Sequence, residues 1–363
     1  MEDLVTHRSP PPTLNLRSLR VLVTGHTGFK GAWLCEWLLQ SGASVSGLAL
    51  PPEGLLSLFD SLRLAERLDR HIFCDIRNPS ALAQAVRESK PDVIFHLAAQ
   101  ALVRRSYREP LLTWETNVTG TLNLLEAARG LGRLVTVVVV TTDKVYKNRE
   151  WEFCYREEDE LGGHDPYSAS KAACELAVDS WRSSFGATEG VTVVTARAGN
   201  VIGGGDWSED RIVPDCFRAW DKGTAVELRN PKSTRPWQHV LEPLSGYIAL
   251  AAHVRDGLPL IKACNFGPGS DGDHTVQALV SMIAAQRSGR SWKVTTAAQP
   301  HEARALSLSI DRAKHILGWS PRLTFEETVA WTDHGYSVDA GKLPDLVRQQ
   351  IADFFSKGPI LHA

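Results

Sequence analysis

An apolar run, Arg20 to Thr24, empties into a turn with glycine at positions 25, 28 and 31, and the chain passes straight on into a helical pattern. On that helix Trp33, Leu34, Trp37 and Leu38 recur as one apolar stripe, and Gly42 is placed to end it in a left-handed conformation. Strand, glycine turn and helix is the context a phosphate-binding loop needs. Gly25 permits the tight turn, Gly28 lets the backbone approach a pyrophosphate, and Gly31 lets the helix pack close to the strand. The helix N-terminus then faces the anion. Glycines alone often only mark turns; the flanking strand and helix favour dinucleotide binding.

The alternation continues through Ser44–Ala49, His71–Cys74, Asp92–Ala98 and Val135–Val140, with one intervening helix ending near Lys90 and another spanning about Leu111 to Gly130. Near-continuous apolar strands separated by helices predict an α/β fold, a Rossmann-like doubly wound parallel sheet covered on both faces. The chain has 363 residues, 43% hydrophobic and 23% charged, enough for one large α/β domain and a smaller one. A net charge of −2 argues against a nucleic-acid partner. No apolar run reaches membrane-spanning length, and the start of the chain carries Pro10, Pro11 and Pro12 rather than an apolar signal core. The six cysteines are scattered without metal-ligand spacing, which predicts free thiols in a reducing cytoplasm and no metal site.

One expected residue is missing. A ribose-binding acid should end the second strand, about 20 residues past the glycine loop. Leu48-Ala-Leu50-Pro-Pro stands there instead, with Glu53 displaced beyond the prolines. No arginine occupies that strand end either, so NAD is expected rather than NADP. His26 sits in the loop, where bulk would crowd the phosphate. Asp75, after the third strand, could accept from the adenine amino group or simply be solvated.

Chemistry concentrates in two short stretches. Tyr167 and Lys171 lie four apart, one helical turn, so a phenol and an ammonium share a face. That pair can draw a proton from a sugar hydroxyl as hydride leaves for a nicotinamide. Thr142, Asp143 and Lys144 follow a parallel strand at the edge where such sheets bind ligands. Asp143 and Lys144 add a second acid and a second potential base, which alcohol oxidation alone would not need. They could equally form a loop salt bridge. Position favours oxidation followed by elimination.

These motifs resemble the extended short-chain dehydrogenase/reductase family through Thr24-Gly25-xx-Gly28-xx-Gly31, His96-Leu-Ala-Ala99, Asn117 and Tyr167-xxx-Lys171. Within it, Thr142-Asp-Lys144, Asp165-Pro-Tyr-Ser-Ala-Ser-Lys171, the Arg197–Trp207 run and Arg235-Pro-Trp-Gln-His239 look like the CDP-glucose 4,6-dehydratases, over about Leu19 to Tyr336. The resemblance implies oxidation at C4 of a CDP-glucose substrate, loss of water across C5 and C6, and return of the hydride to C6, with bound NAD regenerated. Tyr167 would be the base at O4, supported by Lys171, Thr142 and Asn117. Asp143 would protonate the departing C6 hydroxyl, and Lys144 would take the C5 proton or stabilise the enolate. The cofactor set it implies is Gly25, His26, Gly28, Phe29, Lys30, Gly31, Asp75, Ile76, Leu97, Ala98, Ala99, Asn117, Tyr167 and Lys171. Sugar-nucleotide ligands would be Gln100, Arg104, Asn200, Arg211, Arg235, His239, His301 and Glu302, with Trp207 and Trp237 available to stack or to fill a core.

The organisation expected is a flexible arm over 1–18, an NAD-binding domain over 19–198, a sugar-nucleotide domain over 199–340 and a tail over 341–363. The resemblance implies that residues near 262–266 return to the sheet, and that helices around Leu111–Ala128 and Tyr167–Phe185 pair in a homodimer. Alternatives are another nucleotide-sugar 4,6-dehydratase, a C4 epimerase that would not need Asp143 and Lys144, or an NAD-responsive binding or regulatory protein on the same fold.

Overall fold

The computed structural model describes residues 15–54, 56–186, 188–268, 273–295 and 305–358. Seven strands form one sheet: β1 (Arg20–Thr24), β2 (Ser44–Ala49), β3 (Arg70–Phe73), β4 (Val93–His96), β5 (Val135–Val140), β6 (Val191–Ala198) and β7 (Ala263–Phe266). Their order in space is β7-β6-β5-β4-β1-β2-β3. Every pairing is parallel. From β1 the chain winds outward to β3, then crosses to β4 on the other side of β1. That reversal opens a crevice at the C-terminal ends of β1 and β4.

Burial on both faces explains the unbroken apolar runs. Val21 and Val23 join a core on one side of the sheet while Leu22 joins another on the opposite side, as the two-residue period of a strand requires. The first core is closed by α1 (Phe29–Gln40), and the second by α2 (Pro79–Ser89), α3 (Gly120–Arg129) and α4 (Pro166–Trp181). α5 (Leu241–Arg255) completes the first core through Leu244 and Tyr247. Each fully buried Leu or Val side chain contributes on the order of 1.5–3 kcal/mol.

Local chemistry sets the helix ends near the crevice. α1 begins directly after extended Gly28, and Gly42 at φ +82° closes its C-terminal end. α4 starts where Asp165 accepts the Ser168 N–H at 3.0 Å and Pro166 fills the first turn. The helical stretch expected around Leu111–Gly130 runs as Pro110–Trp114, a wide π turn over Glu115–Thr119, and α3.

The second half adds short strand pairs beside the crevice. Val201–Ile202 pairs with Gln238–His239, Thr234–Pro236 with Asp273–Thr275, and Val226–Leu228 with Trp292–Val294. They pack with helices Ile212–Asp221, Val276–Ala285 and Phe325–Ser337 around Phe217, Trp237, Leu279 and Val329. Helix Leu343–Ser356 folds back so that Phe354 meets Trp37 of α1 at 5.7 Å between ring centres. His301, Glu302 and residues 1–14 of the expected arm lie outside the described residues. Among the described residues no helix is long and apolar enough to cross a membrane, and no cluster of side chains could hold a metal ion.

Candidate active site

A cavity of about 1490 Å³ runs along the C-terminal edge of the sheet. That exceeds the roughly 300–1,000 Å³ of a site for one small ligand and suits two nucleotides laid end to end. Gly25, Gly28, Phe29, Lys30, Gly31, Asp75, Ile76, Leu97, Ala98 and Ala99 border one half. The glycine loop is held without slack. A Cβ on Gly25, which sits at φ +77°, would come within 2.7 Å of the Ala98 nitrogen, and one on Gly31 within 2.1 Å of the Gly25 carbonyl oxygen. Backbone therefore lies where side chains would otherwise stand, in front of the N-terminus of α1. This cradle fits a dinucleotide pyrophosphate.

Three expectations for this half need revision. His26 does not crowd the loop: its ring is fully buried, turned under the sheet edge against Gly47 and Phe59, with Nε2 2.8 Å from Nδ1 of His71. Only its backbone belongs to the loop. Asn117 lies outside the cavity lining and braces it from behind, accepting the Gln100 N–H at 2.9 Å and donating to Ser170 Oγ at 2.9 Å. Asp75 does border the cavity, but Arg77 grips its carboxylate through Nε and Nη2 and holds it below the usual carboxylate range. Glu53 also faces this half, paired with Arg105 at 2.7 Å.

Thr142, Asp143, Lys144, Tyr167 and Lys171 border the middle of the cavity together. Burial pushes the Tyr167 phenol up to about 12, against the pull of a hydrogen bond with Thr142 and the charge of Arg211. Lys171 donates to the Val140 carbonyl at the end of β5 at 3.1 Å, and burial lowers its ammonium below the usual range. The Asp143–Lys144 salt bridge that the sequence also allowed is present, with Nζ 3.0 Å from Oδ1. Thr142 Oγ1 donates to that same oxygen at 2.9 Å, whereas buried Oδ2 has no partner among the described residues. Lys144 donates as well to Asn200 Oδ1 at 3.3 Å, so the amide oxygen of Asn200 serves the lysine. Lys30 belongs here as much as to the cofactor half. Burial, then the charge of Arg211, pushes its ammonium down to about 7, and Asp143, Lys144 and Lys171 also act on it.

Arg104, Asn200, Arg211 and Arg235 border the far half. Arg104 pairs with Asp210 at 3.2 Å, and Arg211 with Asp206 at 3.7 Å. Gln100 reaches the lining, but its amide is turned into its own loop, donating to Leu102 O and Thr113 Oγ1. His239 is a core residue rather than a ligand: it is fully buried outside the cavity lining, edge-on to Trp33 and Trp331. Trp237 borders the cavity yet is pinned by its indole N–H to the His274 carbonyl, and Trp207 leans on Tyr336. Arg229 was missed. It borders the cavity and pairs with Asp210 and Asp215 at 3.6 Å each. Its place in Leu228-Arg-Asn-Pro231, a strand end breaking into a turn, was the available signal.

Comparison with known proteins bears on this arrangement directly. The model of the GDP-mannose 4,6 dehydratase family matches residues 22–332. The chain belongs to this family. It is 46% identical over 348 residues to the CDP-glucose 4,6-dehydratase of Salmonella typhimurium, covering 93% of this chain and 96% of that protein. Among solved structures, a dTDP-glucose 4,6-dehydratase from Streptomyces venezuelae with NAD bound superimposes with a TM-score of 0.74 at 26% identity, covering 90% of this chain and all of that one. The UDP-glucose 4-epimerase of Thermus thermophilus in complex with NAD also gives 0.74, at 28% identity over 88% and 99% of the two chains. A dehydratase and an epimerase thus share this fold, so the side chains in the cavity must separate them.

Proposed function

We propose that this chain is an NAD-dependent sugar-nucleotide 4,6-dehydratase, a hydro-lyase, that converts CDP-glucose to CDP-4-keto-6-deoxyglucose. The observation that carries the reading is one cavity bordered by both Tyr167–Lys171 and Asp143–Lys144, opening beside the glycine cradle. An epimerase would need only the first pair. The 46% identity to a CDP-glucose 4,6-dehydratase supports the choice of substrate.

NAD held by the glycine cradle would supply a two-electron acceptor for the C4 hydrogen that is restored when hydride returns to C6. Tyr167 takes the O4 proton, with Thr142 bonded beside it and Lys171 stabilising the anion. Oxidation at C4 makes the C5 proton acidic. Lys144 removes that proton, Asp143 gives one to the C6 oxygen, the C6–O bond breaks and water leaves. Lys144 then returns its proton to C5 as hydride reaches C6. The resting salt bridge suits this sequence. Lys144 Nζ lies 3.0 Å from Asp143 Oδ1, so the base and the acid stand side by side. Oδ2, which has no partner among the described residues, is the oxygen free to donate to the leaving hydroxyl.

Arg104, Arg211, Arg229 and Arg235 supply charge for the substrate diphosphate. The reading includes a homodimer. Leu111 is 77% exposed and Leu176 62% exposed on neighbouring helices, with Trp114 and Phe185 exposed beside them. Six unpaired cysteines support a reducing cytoplasm. CDP-glucose deuterated at C4 tests the function: label recovered at C6 of a 4-keto product is expected. Label returned to C4 of an epimer, or no transfer, rejects it.

A further inference from the structure

Oxidation at C4 and elimination across C5 and the exocyclic C6 must act on successive carbons of one sugar, so the groups that perform them must keep a fixed spacing. Tyr167 and Lys171 stand on a regular helix, α4. Asp143 and Lys144 stand on a single short turn whose own bonds are long, Val145 N–H to Thr142 O and Lys144 N–H to Thr142 Oγ1 both at 3.4 Å. Such a turn does not hold its own place. Backbone bonds from outside help to fix it, Thr141 N–H to Ala196 O at 2.9 Å and Gly162 N–H to Val145 O at 2.8 Å, and the side chains of its two flanking residues, Thr141 and Tyr146, are held from behind by one ion pair.

That pair is Glu175 with Arg197, each side chain only 4% exposed. The guanidinium meets the carboxylate in a two-point fork, Nε to Oε1 at 3.0 Å and Nη2 to Oε2 at 2.9 Å. Glu175 also accepts the Thr141 hydroxyl on Oε1 and the Thr195 hydroxyl on Oε2. Arg197 Nη1 donates to the Tyr146 hydroxyl at 2.9 Å, and that hydroxyl donates to Asn265 Oδ1 on β7 at 2.7 Å. A buried ion pair seldom adds stability over apolar packing of the same volume, so this one needs another reason to be here. Glu175 lies one turn beyond Lys171 and two beyond Tyr167 on α4. The helix that carries the oxidation pair therefore grips the near end of the elimination turn through Thr141. Through Arg197 it grips the far end at Tyr146.

We infer that Glu175 and Arg197, acting through Thr141 and Tyr146, are positioning residues that set the spacing between the oxidation pair and the elimination pair. The inference rests on the dehydratase reading and adds Glu175 and Arg197, which lie outside the cavity lining that Thr141 and Tyr146 border.

Tyr146→Phe and Thr141→Val test it, with Thr141→Ser as the conservative control. Each removes one hydroxyl without stranding a charge. The elimination step, followed as consumption of the 4-keto sugar that still carries its C6 oxygen, should slow about ten- to hundredfold, the scale of a small misplacement of reacting groups. The oxidation step, followed as reduced-nicotinamide absorbance in a single turnover, should stay within about twofold, so that the oxidised intermediate builds up. Thr141→Ser should restore wild-type partitioning. Equal slowing of both steps in parallel with lost thermal stability, or no change in either, overturns the positioning role. A wild-type chain that never releases a 4-keto-6-deoxy product overturns the function itself. The two failures are thus told apart.

Discussion

Replacing Lys171 by methionine should move the pH dependence of the reaction rather than merely lower its rate. In the cavity the Tyr167 phenol is pushed up to about 12 by burial. At pH 7 only about one phenol in 10⁵ would be ionised, and forming the anion costs about 7 kcal/mol. A base at O4 therefore depends on positive charge brought close to the phenol. Lys171 stands four residues along α4, its ammonium anchored at 3.1 Å on the Val140 carbonyl. Residues so spaced are neighbours on a helix. A unit charge at the roughly 5–6 Å of such neighbours, in an effective dielectric of about 20, contributes roughly 3 kcal/mol, or about two pKa units. The sign follows: with the cation gone, the phenol loses its proton only at higher pH. The ascending limb of the kcat/KM profile should rise by about two units relative to wild type, so activity falls about 10²-fold at pH 7 and the deficit narrows only as the pH is raised. Lys171→Arg should leave the limb near its wild-type position. Initial rates across pH, with thermal melting at each pH to exclude unfolding, decide the matter. A constant loss at every pH would refute the electrostatic argument and leave Lys171 only a holding role.

Asp143→Asn keeps the shape of the side chain but removes its acid. Product formation should fall about 10²–10⁴-fold while reduction of the nicotinamide proceeds, a split visible in single-turnover absorbance. Glu242, on α5, offers a stability test. Burial pushes its carboxyl up to about 7, although the Arg322 and Leu323 N–H groups hold Oε1. A raised acid costs nothing below its unfolded value near 4.5 and costs most above its folded value, so stability falls as pH rises between them. Glu242→Gln should therefore be more stable than wild type at pH 8 by up to about 3 kcal/mol, and the gap in urea unfolding should close towards pH 5. If the proposed homodimer forms through α4, Leu176→Glu, at an exposed apolar position on that helix, should leave monomers by light scattering at micromolar concentration where wild type gives dimers.

The sheet was legible because both of its faces are covered. Val135–Val140 could be read from six consecutive residues, since every one is buried whichever way it points. The helix end at Gly42 was legible for a related reason: its left-handed cap acts through local chemistry that needs no tertiary partner. The π turn at Glu115–Thr119 was not legible, because no local preference writes an extra residue into a helix. There Asn117 makes bonds that reach Gln100 and Ser170, far along the sequence.

The same distinction separates the site residues that sequence placed well from those it did not. Glycines 25 and 31 are dictated by backbone passing within a bond length or two of where a Cβ would be, a constraint that survives in a string of letters. Thr142, Asp143 and Lys144 could be placed because residues just after a parallel strand stand at the ligand edge. His26 and His239 carry the chemistry of ligands and sit in ligand-like motifs, yet both rings are fully buried. A histidine is amphipathic enough to fill a core. What sends it inward is a neighbour distant in sequence: Gly47 leaves the space for His26, and Trp33 with Trp331 enclose His239. Arg229 errs in the other direction, an ordinary surface letter until Asp210 arrives on a loop from elsewhere. A motif thus shows where the backbone goes. Which side chains turn into the cavity is settled by the volumes opposite them, and those belong to the fold.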